Sequence, residues 1–218
     1  MLKPFYRIFF ILTFLVSCKY SNQSTQEKDP KATSDTPEVL KSENIKPKVP
    51  SEIDFDIIKP FKHIENESMF ESGDTKLISK TDNSFMLTKK DFAVDEIDLS
   101  ESNYEGPGYN IFSFRSQENT RFEVIIIEAT ADIGTDWYYV IVLNNENLVD
   151  QFYIKEPRAD SENTNIGDFI KISFKNNTLN LKFKKDKIAR YSKNTENLKS
   201  DNQYFYLTRK IELTNSAP

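Results

Sequence analysis

The chain reads as a mostly β protein, an antiparallel β-sandwich or partly closed barrel with at most one or two short helices. Two observations predict it. The run Asp168–Lys184 alternates apolar and polar residues on both sides of Asn176-Asn177, and Arg121–Ala129 and Asp136–Leu143 are dense in β-branched and aromatic residues. Helical signals, by contrast, are thin. The alternative is an α+β fold with one helix laid across the sheet.

In chain order, Thr88–Ser100 (TKKDFAVDEIDLS) is the segment that best fits a short helix, with Thr88 or Ser84 as its cap. Asn110–Arg115 (NIFSFR) reads as a strand, as does Arg121–Ala129. Asp136–Leu143 pairs with Leu148–Lys155 across Asn144-Asn145-Glu146-Asn147 as a hairpin. Arg121–Ile127 and Tyr138–Leu143 are apolar on both alternations, which calls for central strands covered on two sides. Asp168–Lys184 is the clearest hairpin, because asparagine tolerates the positive φ of a tight turn. Ile170, Ile172, Phe174, Leu179, Leu181 and Phe183 form its apolar face, and Lys171 and Lys182 point the other way. Lys184–Leu198 is a polar excursion with room for one helical turn, and Gln203–Leu213 is the last strand.

The N-terminus is built differently. Lys3 and Arg7 precede the apolar run Ile8–Val16, and Ser17-Cys18 follows. A charged start, a short apolar stretch and a small residue describe a secretory signal, and nine residues fall short of the about 20 that cross a bilayer as a helix. Leu15-Val16-Ser17-Cys18 resembles the lipobox of bacterial lipoproteins, in which an aliphatic, a tolerant and a small residue precede the cysteine. The resemblance covers the first twenty or so residues. It implies cleavage before Cys18, transfer of diacylglycerol to its thiol, and anchoring by acyl chains (palmitate among them) at about 0.8 kcal/mol per buried methylene. Cys18 is the only cysteine in the chain, so the remainder has no internal disulfide to form. Such lipoproteins are kept at the inner membrane by an aspartate after the cysteine; Lys19 stands there and points to the cell outer membrane.

Lys19–Pro50 is rich in charged and small polar residues and holds Pro30, Pro37, Pro47 and Pro50. Such a stretch buries too little to offset the entropy of ordering and reads as a disordered tether spanning about 30 Å. The expected organisation is a signal peptide at 1–17, the lipidated cysteine and tether at 18–51, one mostly-β domain at 52–214 and a tail at 215–218.

The residues that most catalytic chemistry needs are missing. His63 is the only histidine, no Gly-x-Ser-x-Gly elbow accompanies it, and the phosphate-loop and paired-cysteine motifs are missing. Zinc, haem and iron–sulfur centres need imidazole or thiolate ligands that the domain lacks, so no metal, no other cofactor and no catalytic residue is assigned. His63 itself reads as a surface or boundary residue. The acids of Asp91–Glu105 (DFAVDEIDLSESNYE) follow no calcium-loop spacing and read as a solvated face. Asp132-Ile133-Gly134-Thr135-Asp136 reads as a tight turn with Gly134 at positive φ.

Three further features draw notice. Gly106-Pro107-Gly108 lies between Tyr104 and Tyr109, in a loop of the kind that carries binding residues. Lys182, Lys184, Lys185, Lys187, Arg190 and Lys193 form a basic patch opposed by Asp186, read as the wet side of a hairpin. Trp137 and Tyr139 share one strand face, which suits core packing better than a sugar platform, since Ile141 and Leu143 continue it.

The sequence reads as an envelope lipoprotein held to the membrane through Cys18, with a binding or interaction module for protein or glycan rather than an enzyme. Two other readings stand beside it: a carboxylate-based glycan hydrolase, and an immunity or inhibitor lipoprotein whose acidic face covers a basic partner. Nucleic acid is not expected, because no recognition motif is present and the net charge is -5.

Overall fold

The computed structural model describes residues 52–102, 104–106, 108–132, 134–159, 164–190 and 198–213, with the side chains of Ala189 and Arg190 excepted. All lie in one unit spanning residues 45–218. Residues 1–17, read as a signal, Cys18, Lys19–Pro50, read as a tether, Lys193 and residues 215–218 lie outside the described residues.

The first strands are β1 (Ile53–Asp54), β2 (Ile57–Pro60), β3 (Lys62–Ile64), β4 (Met69–Ser72), β5 (Thr75–Thr81), β6 (Ser84–Lys89) and β7 (Phe92–Asp98). The central stretch holds β8 (Gly108–Arg115), β9 (Phe122–Thr130), β10 (Thr135–Asn144), β11 (Asn147–Ile154) and β12 (Arg158–Ala159). One helical turn, α1 (Ile166–Phe169), leads into β13 (Ile170–Lys175), β14 (Thr178–Lys184), β15 (Ile188–Arg190), β16 (Lys199–Ser200) and β17 (Tyr204–Lys210).

The strands assemble into three five-stranded antiparallel sheets and a small ribbon, β12-β15. The middle sheet runs β11-β10-β9-β8-β2, one outer sheet β1-β13-β14-β17-β16, and the other β3-β4-β5-β6-β7. Residue parity explains the stacking. Val124, Ile126, Tyr138, Val140 and Val142 of the middle sheet pack with Phe169, Ile172, Leu181 and Phe183. Their chain neighbours Ile125, Ile127, Tyr139, Ile141 and Leu143 turn the other way, onto Leu77, Phe85, Leu87 and Ile97. β9 and β10 are therefore buried on both faces, as their unbroken apolar runs require. The result is a three-layer sandwich, with no closed barrel among the described residues.

The hairpin β13-β14 keeps the expected register, Ile172 opposite Leu181, around Asn176 and Asn177 at φ 50° and 57°. Ile172 and Leu181 are buried and Lys171 is exposed. Gly134 takes φ 79° in the turn before β10. Asn165 caps α1, its side chain accepting from Gly167 N.

The helix expected over Thr88–Ser100 is absent, and the segment is instead the end of β6, a turn and the edge strand β7. Lys90 and Asp91 both sit at positive φ (50° and 67°), which reverses the chain within two residues and pairs Lys89 with Phe92. A register shift between Leu87 and Thr88 breaks the period-two pattern of the pair. That break leaves Ala93, Val94 and Ile97 at spacings that imitate a helical face. The α+β alternative falls with this helix, since α1 is a single turn. In the excursion after β14, Lys185–Lys187 form one 3-10 turn before β15.

Candidate functional site

The interface between the middle sheet and β3-β4-β5-β6-β7 is apolar in its centre and different in character at its two ends. At the end holding the β5–β6 turn and the start of β8, aromatic rings line up. His63 stacks on Phe70 (centroids 4.5 Å), Phe70 meets Phe85 edge-on, and Phe85 meets Tyr109. The row continues through Tyr104, Trp137, Tyr153 and Tyr139, with successive centroids 4.6–5.5 Å apart. Edge-to-face contacts of this kind add about 0.5–1.5 kcal/mol per pair beyond area burial.

Above this row opens a groove of about 880 Å³ between the β5–β6 turn and the loop before β8. His63 is exposed at its rim, with Phe70 behind it, and Tyr109 is half-buried in its wall. Tyr109 donates from its hydroxyl to Asn83 Oδ1 at 2.7 Å. Burial, with the charges of neighbouring Tyr104, Tyr153 and Asp82, pushes the Tyr109 phenol well above its ordinary range, so it stays protonated and can keep that bond. Ser68, Ser79 and Thr81 add hydroxyls, and Glu65, Asp82 and Glu105 add exposed carboxylates.

The loop is held by Tyr104. Its hydroxyl proton is shared between the carbonyls of Gly108 and Thr130, both at 2.5 Å, and the oxygen accepts from Gly108 N at 3.1 Å. Gly106 lies so close that a Cβ there would meet the Tyr104 ring at 2.3 Å and Thr130 O at 2.4 Å. The glycine is required by close approach, and the loop is clamped rather than loose.

The opposite end of the same interface is ionic. Glu123, at the start of β9, is 4% exposed and accepts from Lys89 Nζ at 2.5 Å and Arg115 Nη2 at 2.8 Å. Ser113 Oγ, Thr75 Oγ1 and Arg115 Nε complete its coordination at 2.6, 3.1 and 3.1 Å. Lys89 also donates to Asp74 and Thr75, each at 2.8 Å. Burial raises the Glu123 carboxyl. The charge and bond of Lys89, the Ser113 bond and the Arg115 charge outweigh it and leave the group below its ordinary value. Asp74 is lowered in the same way, its burial overcome by Lys89 and Arg115. A buried carboxylate is tolerated only when paired and hydrogen-bonded, and β5, β6 and β8 each supply Glu123 with a donor.

A third space, of about 280 Å³, lies beside Trp137 and Tyr153, where Arg158 pairs with Asp136 at 2.9 Å. The buried Trp137 indole N–H has no acceptor among the described residues.

The features singled out in the sequence are distributed as follows. His63 and the Gly106–Gly108 loop, distant in sequence, border the same groove. Trp137 and Tyr139 are buried, as core packing requires. The acids of 91–105 are exposed along β7 and after it, and spend oxygens locally: Asp91 on Lys76, Asp95 on Glu96 N, and Asp98 on Ser100 N. In the basic patch Lys184 faces Asp186 at 3.5 Å, and Lys185 lies over the Phe205 ring at 4.7 Å. Among the described residues no group of His, Cys, Asp and Glu side chains converges as metal ligands, and no helix is long and apolar enough to cross a membrane. Sequence reasoning missed the Glu123 network. The sole signal for it was a carboxylate directly before the apolar run Val124–Ile127, with Arg115 at the end of the strand before it.

No known protein family, no curated protein and no solved structure matches this chain.

Proposed function

We propose that the chain is an envelope lipoprotein, anchored through acyl chains on Cys18, whose folded domain binds a glycan in the aromatic groove and performs no reaction there. The groove carries this reading. An exposed imidazole backed by Phe70, with Tyr109 beside it, offers flat faces to sugar C–H groups. The Asn83 amide, the serine and threonine hydroxyls and the rim carboxylates surround them with partners for sugar hydroxyls. Glu65, Asp82 and Glu105 are all exposed, without the dry pocket that tunes one carboxyl as a general acid, which favours binding over hydrolysis. The lipobox residues and the position of Lys19 support the outer membrane as the address.

The test is a glycan array probed with the full chain and with His63→Ala, an exposed position whose loss leaves the core intact. Expected is binding to a restricted set of saccharides that falls at least about tenfold in the variant. Binding that ignores His63→Ala and also Tyr109→Phe would place any saccharide elsewhere. The anchor is tested separately: Cys18→Ser should move the protein from the membrane to the soluble fraction, and a variant that still sediments through a salt wash overturns it.

A protein partner is the second reading, favoured by the β7 edge. Phe92 is 71% exposed, the only large apolar side chain so exposed among the described residues, and Asp95, Glu96 and Asp98 follow it. An acidic partner surface for a basic protein fits that edge.

A further inference from the structure

The ionic end of the interface opens into a second hollow, of about 460 Å³, whose floor is Arg115 and Glu123. Parity puts its residues there. Ile57 pairs with Arg115 and Lys59 with Ser113, so Lys59, Ser113, Arg115 and Glu123 all face the β3–β7 sheet at the β2 edge. Lys90 and Glu146 close one side at 2.8 Å from each other, and Arg121 stands at the mouth.

The charges in this hollow do not cancel. Asp74 and Glu123 are matched by Lys89 and Arg115, and Glu146 by Lys90. Lys59 and Arg121 are exposed, and neither forms an ion pair with a carboxylate among the described residues. Arg121 gives its Nε to Asn144 Oδ1 at 2.5 Å and is otherwise without a protein acceptor there. Two positive charges are thus left over inside a concave space, on a chain whose overall charge is -5.

Arg115 is prepared for a ligand. Its Nε is occupied by Ser113 and Glu123. Its Nη2 is occupied by Ser72 O, Asp74, Thr75 and Glu123. Its Nη1 has no acceptor among the described residues, so the plane is locked while one nitrogen keeps its donors unused. A fixed guanidinium loses little entropy on binding, and arginine suits phosphate oxygens.

We infer that this hollow binds a phosphate monoester, held by Arg115 Nη1 with Lys59 and Arg121. A monoester carries close to two negative charges at neutral pH, which equals the uncompensated charge, and its oxygens can reach three separate donors. A carboxylate would neutralise half of it. The phosphate can belong to a small soluble ester or to a lipid headgroup, and the two are separable by experiment.

The full chain carrying Cys18→Ser, so that no acyl chain draws it to lipid, is titrated with inorganic phosphate by calorimetry. It is also sedimented with phosphatidylcholine vesicles with and without phosphatidic acid. Expected is saturable binding to phosphate, to the phosphatidic acid vesicles, or to both; the first alone marks a soluble ester and the second a headgroup. Lys59→Glu/Arg121→Glu should weaken it at least about tenfold with an unchanged melting temperature, because both side chains are exposed. Lys171→Glu, on the far outer sheet, should leave it unaltered. Absence of saturable binding to either probe, or equal weakening by Lys171→Glu, overturns the site.

Discussion

Glu123→Gln tests the claim that one carboxylate ties the middle sheet to the β3–β7 sheet. The amide keeps the shape and removes the charge, and it turns one oxygen into a donor among donors. Lys89 Nζ at 2.5 Å and Arg115 Nη2 at 2.8 Å then face a neutral group, with the Lys89 side chain only 10% exposed. Breaking a buried pair by removing one partner costs about 3–5 kcal/mol. Asp74 remains with Lys89 at 2.8 Å, and Arg115 is 28% exposed and can turn toward water, so the lower half of that range applies. For a domain of about 160 residues this corresponds to a melting temperature lower by roughly 6–16 °C. Thermal and urea unfolding followed by far-UV circular dichroism measures it, with the exposed Glu105→Gln as control within about 0.5 kcal/mol. The pH dependence gives a second reading. The folded-state pKa of Glu123 lies below its ordinary value of 4.5. Its stabilisation is therefore fully present above that value and lost as pH falls through the folded pKa. The gap between wild type and Glu123→Gln should narrow on acidification below about 4.5. A variant that melts within about 2 °C of wild type at neutral pH, or a gap that widens in acid, refutes the reasoning.

Ile172→Ala and Leu181→Ala should each cost about 2–5 kcal/mol in urea unfolding, and Lys171→Ala under about 0.5 kcal/mol. The reverse order would place the wrong face of β13-β14 in the core. Asn177, at φ 57°, should tolerate glycine, whereas Asn177→Val should destabilise the hairpin by about 1–2 kcal/mol, a difference read from melting curves. The buried tyrosines predict alkaline lability. Burial, then the neighbouring Tyr153, Glu101, Asp95 and Asp98, pushes Tyr139 up to about 12, and Tyr138 and Tyr109 rise too. The neutral phenols stabilise the fold fully below about 10, and that contribution is lost as pH rises toward 12. Absorbance titration should show these tyrosines ionising together with loss of the far-UV signal; ionisation of all ten near 10 with the fold intact would contradict their burial.

Local pattern was enough for β8 to β11, for β13-β14 and for β17, because in each the apolar residues sit at a period the chain itself displays. Strands buried on both faces announced a layer on either side, and the middle position of β9 and β10 follows from that. The outer sheet β3-β4-β5-β6-β7 was not legible. Its strands are short or polar on their wet side, as Lys76 and Lys80 of β5 show. At Leu87 and Thr88 the register shift disguises the strand pair as a helix. Two-residue turns at positive φ with lysine and aspartate, as at Lys90 and Asp91, carry none of the glycine or asparagine that usually marks them.

The candidate sites depend on the stacking of sheets. His63, Asn83, Tyr104 and Tyr109 reach one groove only because the outer sheet lies over the start of β8. Apart from Arg115 and Glu123, which are eight positions apart, every pair among Asp74, Lys89, Arg115 and Glu123 is separated by 15 to 49 positions, distances at which side chains carry no mutual signature in one sequence. Alternation is a short-range property of the backbone and survives in any window of the chain. The pairing of a carboxylate with its cations depends on which sheets face each other, and that is decided by burial of both faces of β9 and β10 at once.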